Sequence, residues 1–144
     1  MVVAFFGHRD TPSTIKPRLE NVVQQLIKEN EKITFLVGTH GAFDLIAQSV
    51  LVQASQNYPW IICQKVLSYI PAGKDIVQYE LPTLVPEGIE SVPKRFAISF
   101  SNNYIVNKCD IIVCYIEHDW GGAAQYIIKA KKKGKGIINL AECD

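Results

Sequence analysis

Three short segments of the chain carry residue types that can handle an anion. Gly7-His8-Arg9-Asp10 sets an imidazole and a guanidinium beside a glycine turn, and both side chains bind phosphate or pair with a carboxylate. Gly38-Thr39-His40-Gly41-Ala42-Phe43-Asp44 has two glycines that let backbone approach a ligand closely. A helix then opens whose unpaired N–H groups favour negative charge. Glu117-His118-Asp119-Trp120-Gly121-Gly122-Ala123 repeats that arrangement further on. Each segment also has a plainer reading. The first is equally a polar turn holding a salt bridge. The second is equally a tight turn in which Asp44 complements the helix dipole. In the third, Trp120 either stacks on a base or covers the sheet edge. Glu117 or Asp119 would repel a bare phosphate but accept hydrogen bonds from ribose hydroxyls or an exocyclic amine. None of the segments has the Gly-x-Gly-x-x-Gly or the Walker spacing.

Elements that would place these segments together are legible in the hydrophobic pattern. Val2 to Phe6 is a continuous apolar run, as expected of a strand buried on both faces. Ile15, Leu19, Val22, Val23, Leu26 and Ile27 then recur at helical spacing up to Asn30. Ile33 to Val37 predicts a second strand, and Leu45, Ile46, Val50, Leu51 and Ala54 a second helix. Trp60 to Ile70 predicts a third strand, placed near Lys65 to Tyr69. From Ala72 to Val92 prolines and glycines dissolve the pattern into a long connection. Ser91 is expected to cap a helix with Pro93 in its first turn, carrying Phe96, Phe100, Tyr104 and Ile105 through Lys108. Asp110 to Ile116 is expected as a strand, Gly122 to Lys133 as a helix and Gly136 to Leu140 as a last strand. This alternation predicts a single α/β domain: a Rossmann-like, three-layer build with a mainly parallel sheet of about five strands and helices on both faces. Ligands of such sheets lie beyond the carboxyl ends of the strands, where all three segments fall.

Bulk properties narrow the function classes. With 144 residues, 48% hydrophobic and 20% charged, the chain has the composition of one ordinary folded domain. A formal charge of +1 gives no field to attract nucleic acid, so nucleic acid is an unlikely partner and an anionic ligand must be caught locally. No apolar stretch approaches the roughly 20 residues of a membrane helix. The first strand begins directly after Met1, so a cytoplasmic protein is expected. Cys63, Cys109, Cys114 and Cys143 have neither metal-site nor disulfide-framework spacing and are expected as reduced thiols. His8, His40 and His118 are scattered singly, so no metal site is expected. Lys129, Lys131, Lys132, Lys133 and Lys135 complement the dipole at a helix end and solvate an exposed face.

Taken together, Val3-Ala4-Phe5-Phe6-Gly7-His8-Arg9, the Gly38 to Asp44 loop followed by Ala47, Tyr79 to Phe96 with Leu84-Val85-Pro86-Glu87-Gly88, and Tyr115 to Ala124 resemble the SLOG superfamily. That Rossmann-like group includes the DprA/Smf proteins and the LOG phosphoribohydrolases, and the nearest likeness is to its small stand-alone bacterial YspA/YpsA-like branch. The resemblance implies a nucleotide or nucleotide-derived, ADP-ribose-like ligand over the three loops, with no cofactor required, and self-association, most simply as a homodimer through the Phe96, Phe100 and Tyr104 segment. Gly7, His8, Arg9, Gly38, Thr39, His40, Gly41, Asp44, Glu117, Trp120, Gly121 and Gly122 are the expected ligand-binding residues. LOG enzymes carry Pro-Gly-Gly-x-Gly-Thr-x-x-Glu. Here Trp120 replaces the proline, Ala124 and Gln125 replace Gly-Thr, and Ile128 stands at the catalytic glutamate, where it can move no proton. Ser101 stands where these relatives have an arginine. Binding without catalysis is therefore the leading expectation. A nucleotide or nucleotide-sugar hydrolase using Glu117 or Asp119 as base, with His8 or His40 assisting, is the alternative, and single-strand DNA binding comes third.

Overall fold

The computed structural model describes residues 1–70 and 81–142. β1 (Val2–Gly7) is a near-continuous buried strand, as its apolar run requires. Its side chains alternate faces: Val3 and Phe5 join one core, Ala4 and Phe6 the other. α1 (Lys16–Glu29) has Pro17 in its first turn and buries Leu19, Val23, Leu26 and Ile27. It stops at Asn30, whose amide Nδ2 donates to Leu26 O at 2.9 Å. β2 (Thr34–Val37) leads into α2 (Ala42–Asn57), which buries Phe43, Ala47, Val50, Leu51 and Ala54. β3 (Ile62–Val66) and the two-residue β4 (Thr83–Leu84) follow. Two 3₁₀ turns precede α3 (Ala97–Lys108). β5 (Ile111–Tyr115), α4 (Gly122–Lys132) and β6 (Gly136–Asn139) complete the chain.

All pairings in the sheet are parallel, in the order β4-β3-β2-β1-β5-β6. α1 and α2 cover the face built on Phe5, Phe35 and Val37, while α3 and α4 cover the face built on Ala4, Leu36, Ile112 and Cys114. The result is the expected three-layer Rossmann-like arrangement. Cys63, Cys109 and Cys114 are buried free thiols; Cys143 lies outside the described residues. Burial pushes Cys63 up to about 11 and Cys114 up to about 12, so neither is a thiolate at neutral pH.

Three expectations need correction. The third strand runs over Ile62–Val66 rather than near Lys65 to Tyr69, because the ladder with β2 pairs Thr34 with Ile62 and Val37 with Lys65. Tyr69 and Ile70 lie beyond its end and are exposed. The sheet has six strands; β4 exists only by pairing with Lys65 and Val66 at the sheet edge, inside the stretch expected to be a loop. The remainder of that stretch through residue 80 is outside the described residues. Ser91 caps no helix: its hydroxyl turns back to Gly88 O at 2.9 Å, and Pro93 opens a 3₁₀ turn through the Phe96 N–H to Pro93 O bond. Lys129, Lys131, Lys132 and Lys133 at the end of α4 are exposed, as expected, and Lys129 also donates to Asn103 Oδ1 at 2.8 Å across to α3.

Candidate functional site

The chain leaves β1 toward β2 on one side and returns to β5 on the other, so the sheet's direction of growth reverses at the β1/β5 boundary. A crevice at the strands' carboxyl ends is the geometric consequence. There lies a cleft of about 540 Å³ with walls from all three predicted segments: Gly7, His8, Arg9 and Asp10 after β1; His40 and Asp44 after β2; His118, Trp120, Gly121, Gly122 and Ala123 after β5. Phe6, Ile98, Asn102 and Tyr126 complete the lining. The volume is of the size that holds a small organic ligand.

Both helices that point into this region begin alike. Gly41 precedes α2 with φ 90 and ψ 174, and Gly121 precedes α4 with φ 96 and ψ 169. Only glycine adopts that conformation readily. Their surroundings differ. A Cβ on Gly41 would lie 3.0 Å from the Arg9 Cα, and one on Gly38 would lie 2.8 Å from Asp44 Oδ2. The Ala42 N–H is taken by Arg9 O at 3.0 Å, and the His40 N–H by Asp44 Oδ2 at 2.9 Å. The turn into α2 is thus filled by the chain's own groups. At Gly121 and Gly122 a Cβ would meet nothing within 4 Å. No side chain caps α4, and the N–H groups of Gly122 and Ala123 find no acceptor among the described residues. Arg9, exposed in the same cleft, has no carboxylate partner among them either.

Asp44 is the unusual acid of the site. Enclosure of its carboxylate raises its pKa from 3.8 to about 7, only partly opposed by the His40 N–H bond. Burial, and secondarily the Arg9 charge, holds His40 below its ordinary value, so it is neutral at pH 7. His40 Nε2 lies 3.4 Å from the Ser68 hydroxyl.

A column of rings also lines the cleft. His8 and His118 stack with centroids 3.7 Å apart and 16° between planes, and His118 and Trp120 with centroids 3.6 Å apart and 11° between planes. The column is anchored at both ends. His8 is buried, its Nε2 accepts the Glu117 N–H at 3.0 Å, and Thr11 Oγ1 donates to His8 O at 2.6 Å. An Nε2 that accepts must be unprotonated, in keeping with a pKa lowered by burial and by His118 against the opposing charges of Asp10 and Glu117. His118 Nδ1 reaches Trp120 O at 2.9 Å, which fixes it as the donor because a carbonyl only accepts.

Of the sequence-predicted site residues, Gly7, His8, Arg9, His40, Asp44, Trp120, Gly121 and Gly122 line the cleft; Gly38, Thr39 and Gly41 stand behind it in the α2 turn. Gly7 is there for packing, since any Cβ would overlap the Phe43 ring. Glu117 and Asp119 line a neighbouring cavity of about 610 Å³ between α4 and β6. Glu117 accepts a hydrogen bond from the Tyr115 hydroxyl, which raises the Tyr115 pKa. Ser101, which the resemblance sets at an arginine position, is buried and donates to Leu67 O at 3.1 Å, tying α3 to the end of β3. Ile128 is on the other cavity's wall. Among the described residues no three His, Cys, Asp or Glu side chains gather as metal ligands, and no helix is long and apolar enough to cross a membrane. Sequence reasoning did not assign His118, Asn102 or Ile98 to the site. Asn102 and Ile98 sit on a helix with no motif of its own, and His118 is revealed only by its stacking.

No protein-family model matches the chain, and no curated protein matches it. Among solved structures it is similar to DNA processing protein A (DprA) from Streptococcus pneumoniae, with a TM-score of 0.64 and 19% sequence identity over 94% of this chain. The match covers 48% of that structure, so this chain spans about half its length. The likeness establishes a DprA-like Rossmann fold.

Proposed function

We propose that the chain belongs to the SLOG superfamily, in its small stand-alone branch, and binds a nucleotide or nucleotide-derived, ADP-ribose-like ligand in the cleft at the β1/β5 boundary. The observation that carries this reading is the open amino terminus of α4. Its Gly122 and Ala123 N–H groups, without an acceptor among the described residues, share the cleft with an Arg9 guanidinium that has no carboxylate partner among them. Backbone donors at a helix start and a nearby guanidinium together favour a phosphate group. At the α2 turn the His40 and Ala42 amides are already taken by Asp44 and Arg9 O. Thermal-shift measurement against nucleoside phosphates, cyclic nucleotides and ADP-ribose tests the reading. Stabilisation by at least one of them, lost in Gly122→Asp and reduced in Arg9→Ala, is expected. Silence across the set, unchanged by Gly122→Asp, would remove it.

Asp44 favours a second reading, hydrolysis of the bound nucleotide. A carboxyl group with a pKa of about 7 in the cleft wall can give or take a proton near neutral pH. Release of free base or ribose 5-phosphate from a nucleoside monophosphate, abolished in Asp44→Asn, would establish it; no turnover at high enzyme concentration would eliminate it.

A further inference from the structure

The column His8, His118, Trp120 runs from the core to the surface: His8 is 7% exposed and Trp120 67% exposed. One face of the indole is covered by His118 and its backbone carbonyl is tied to the same imidazole. Trp120 therefore presents a single free, pre-oriented aromatic face, and that face belongs to a residue lining the cleft. Such an arrangement lowers the ordering cost of stacking a ligand ring, because the side chain is already held.

The rest of the cleft lining has matching chemistry. Ile98, from α3, also lines it and is 42% exposed, adding apolar surface. Asn102, one turn further along α3, is half-buried, lines the cleft, and has an amide with no hydrogen-bond partner among the described residues. An inorganic phosphate or a sugar phosphate would leave the indole face and Ile98 in water and Asn102 unread. A planar heterocycle with donors and acceptors on its edge would use all three, since an asparagine amide both donates and accepts along a base edge. The open N–H groups of Gly122 and Ala123 follow Trp120 after one intervening residue, Gly121, so phosphate and ring sites are adjacent.

We propose that Trp120, braced by His118 and His8, is a stacking platform for a nucleobase whose edge is read by Asn102, so that the site selects base-bearing phosphates over phosphate or ribose phosphate alone. This inference rests on the nucleotide-binding reading above and names the part of the ligand that reading leaves open. The same chemistry is present in a free nucleoside 5′-phosphate and in an exposed nucleotide of a single strand. The near-neutral formal charge of +1 favours the free nucleotide.

The experiment uses the full chain with Trp60→Phe, which leaves Trp120 as the single tryptophan; Trp60 lies just before β3, at the opposite margin of the sheet. Titration with AMP, GMP, ribose 5-phosphate and a short oligo(dA) is followed by Trp120 fluorescence and, independently, by calorimetry. The expected result is saturable quenching by AMP or GMP, with ribose 5-phosphate binding more weakly. Trp120→Ala should weaken nucleotide binding by about 5- to 150-fold, the usual range for losing one base–aromatic stack. It should leave ribose 5-phosphate affinity unchanged, and Trp120→Phe should restore most of the loss. Asn102→Ala should alter the AMP to GMP preference. Binding of oligo(dA) alone, with the same loss in Trp120→Ala, would support the platform and assign it to a strand. Equal affinity for AMP and ribose 5-phosphate, unaffected by Trp120→Ala in a variant with an unchanged melting temperature, would overturn the platform while leaving the phosphate site standing. If no probe bound at millimolar concentration, the nucleotide reading would fail and the platform with it.

Discussion

Two helix starts in this molecule share one backbone conformation and have opposite fates. At α2 the glycine turn is packed against Arg9, and Asp44 and Arg9 O take the His40 and Ala42 amides. At α4 the same turn faces open space with its amides unspent. The comparison teaches that a glycine before a helix does not define an anion site. What defines one is whether the protein's own acceptors reach the amides first.

Substitutions at the two turns should separate them. The largest effect is expected at Gly41. Alanine there must adopt a conformation costing about 1–3 kcal/mol and must also displace the Arg9 backbone. Gly121→Ala bears only the conformational cost. In thermal melts Gly41→Ala should therefore lose clearly more than Gly121→Ala; equal losses would mean that the two turns are packed alike. In binding the order reverses: Gly122→Asp should reduce affinity for a phosphate ligand by at least tenfold, since a carboxylate then sits where the anion is held, with the fold retained because a side chain there meets nothing.

Next in size is the pH behaviour of Asp44. Its folded pKa of about 7 lies above its ordinary 3.8, so the folded state holds the proton more tightly than the unfolded chain. Its contribution to stability is complete below about 4 and is lost as pH rises through about 7. Asp44→Asn removes that loss: the variant should gain melting temperature relative to wild type from pH 5 to pH 8, by several degrees at the upper end. A constant difference would place the carboxylate in water. Ionised Asp44 also opposes an anion in the cleft, so phosphate affinity should fall more steeply above pH 7 in wild type than in Asp44→Asn. The smallest effect concerns His8, whose pKa is lowered by burial. Stability from the neutral ring is complete above about 6.5 and is lost as pH falls below that value toward the lowered folded pKa. Trp120 fluorescence should change over that acid range as the column loosens, and His8→Asn should abolish the transition.

Most of the fold was legible in the residues. β1, α1, β2, α2, β5, α4 and β6 follow from apolar runs and helical spacing that a parallel sheet demands. β3 was misplaced because Trp60 to Ile70 is apolar at many positions, and only the ladder to Thr34–Val37 selects Ile62–Val66. β4 is two residues between prolines, a strand by partnership and not by propensity. At the site, the location of the three loops was legible because strand ends fix it. That Asp44 fills the space beside Gly38, that Glu117 faces the other cavity, and that His8, His118 and Trp120 stack are products of tertiary placement. Residues far apart in sequence decide them, and no local pattern encodes them.

Among the described residues the Gly122 amide at the start of α4 is free for an anion, whereas the equivalent Ala42 amide of α2 is taken by Arg9 O. Amide proton–nitrogen correlation spectra of the full chain, titrated with AMP, test it directly. Large, saturable shifts are expected at Gly122 and Ala123, with little movement at His40 and Ala42. Shifts centred on His40 to Ala42 with Gly122 silent would contradict it.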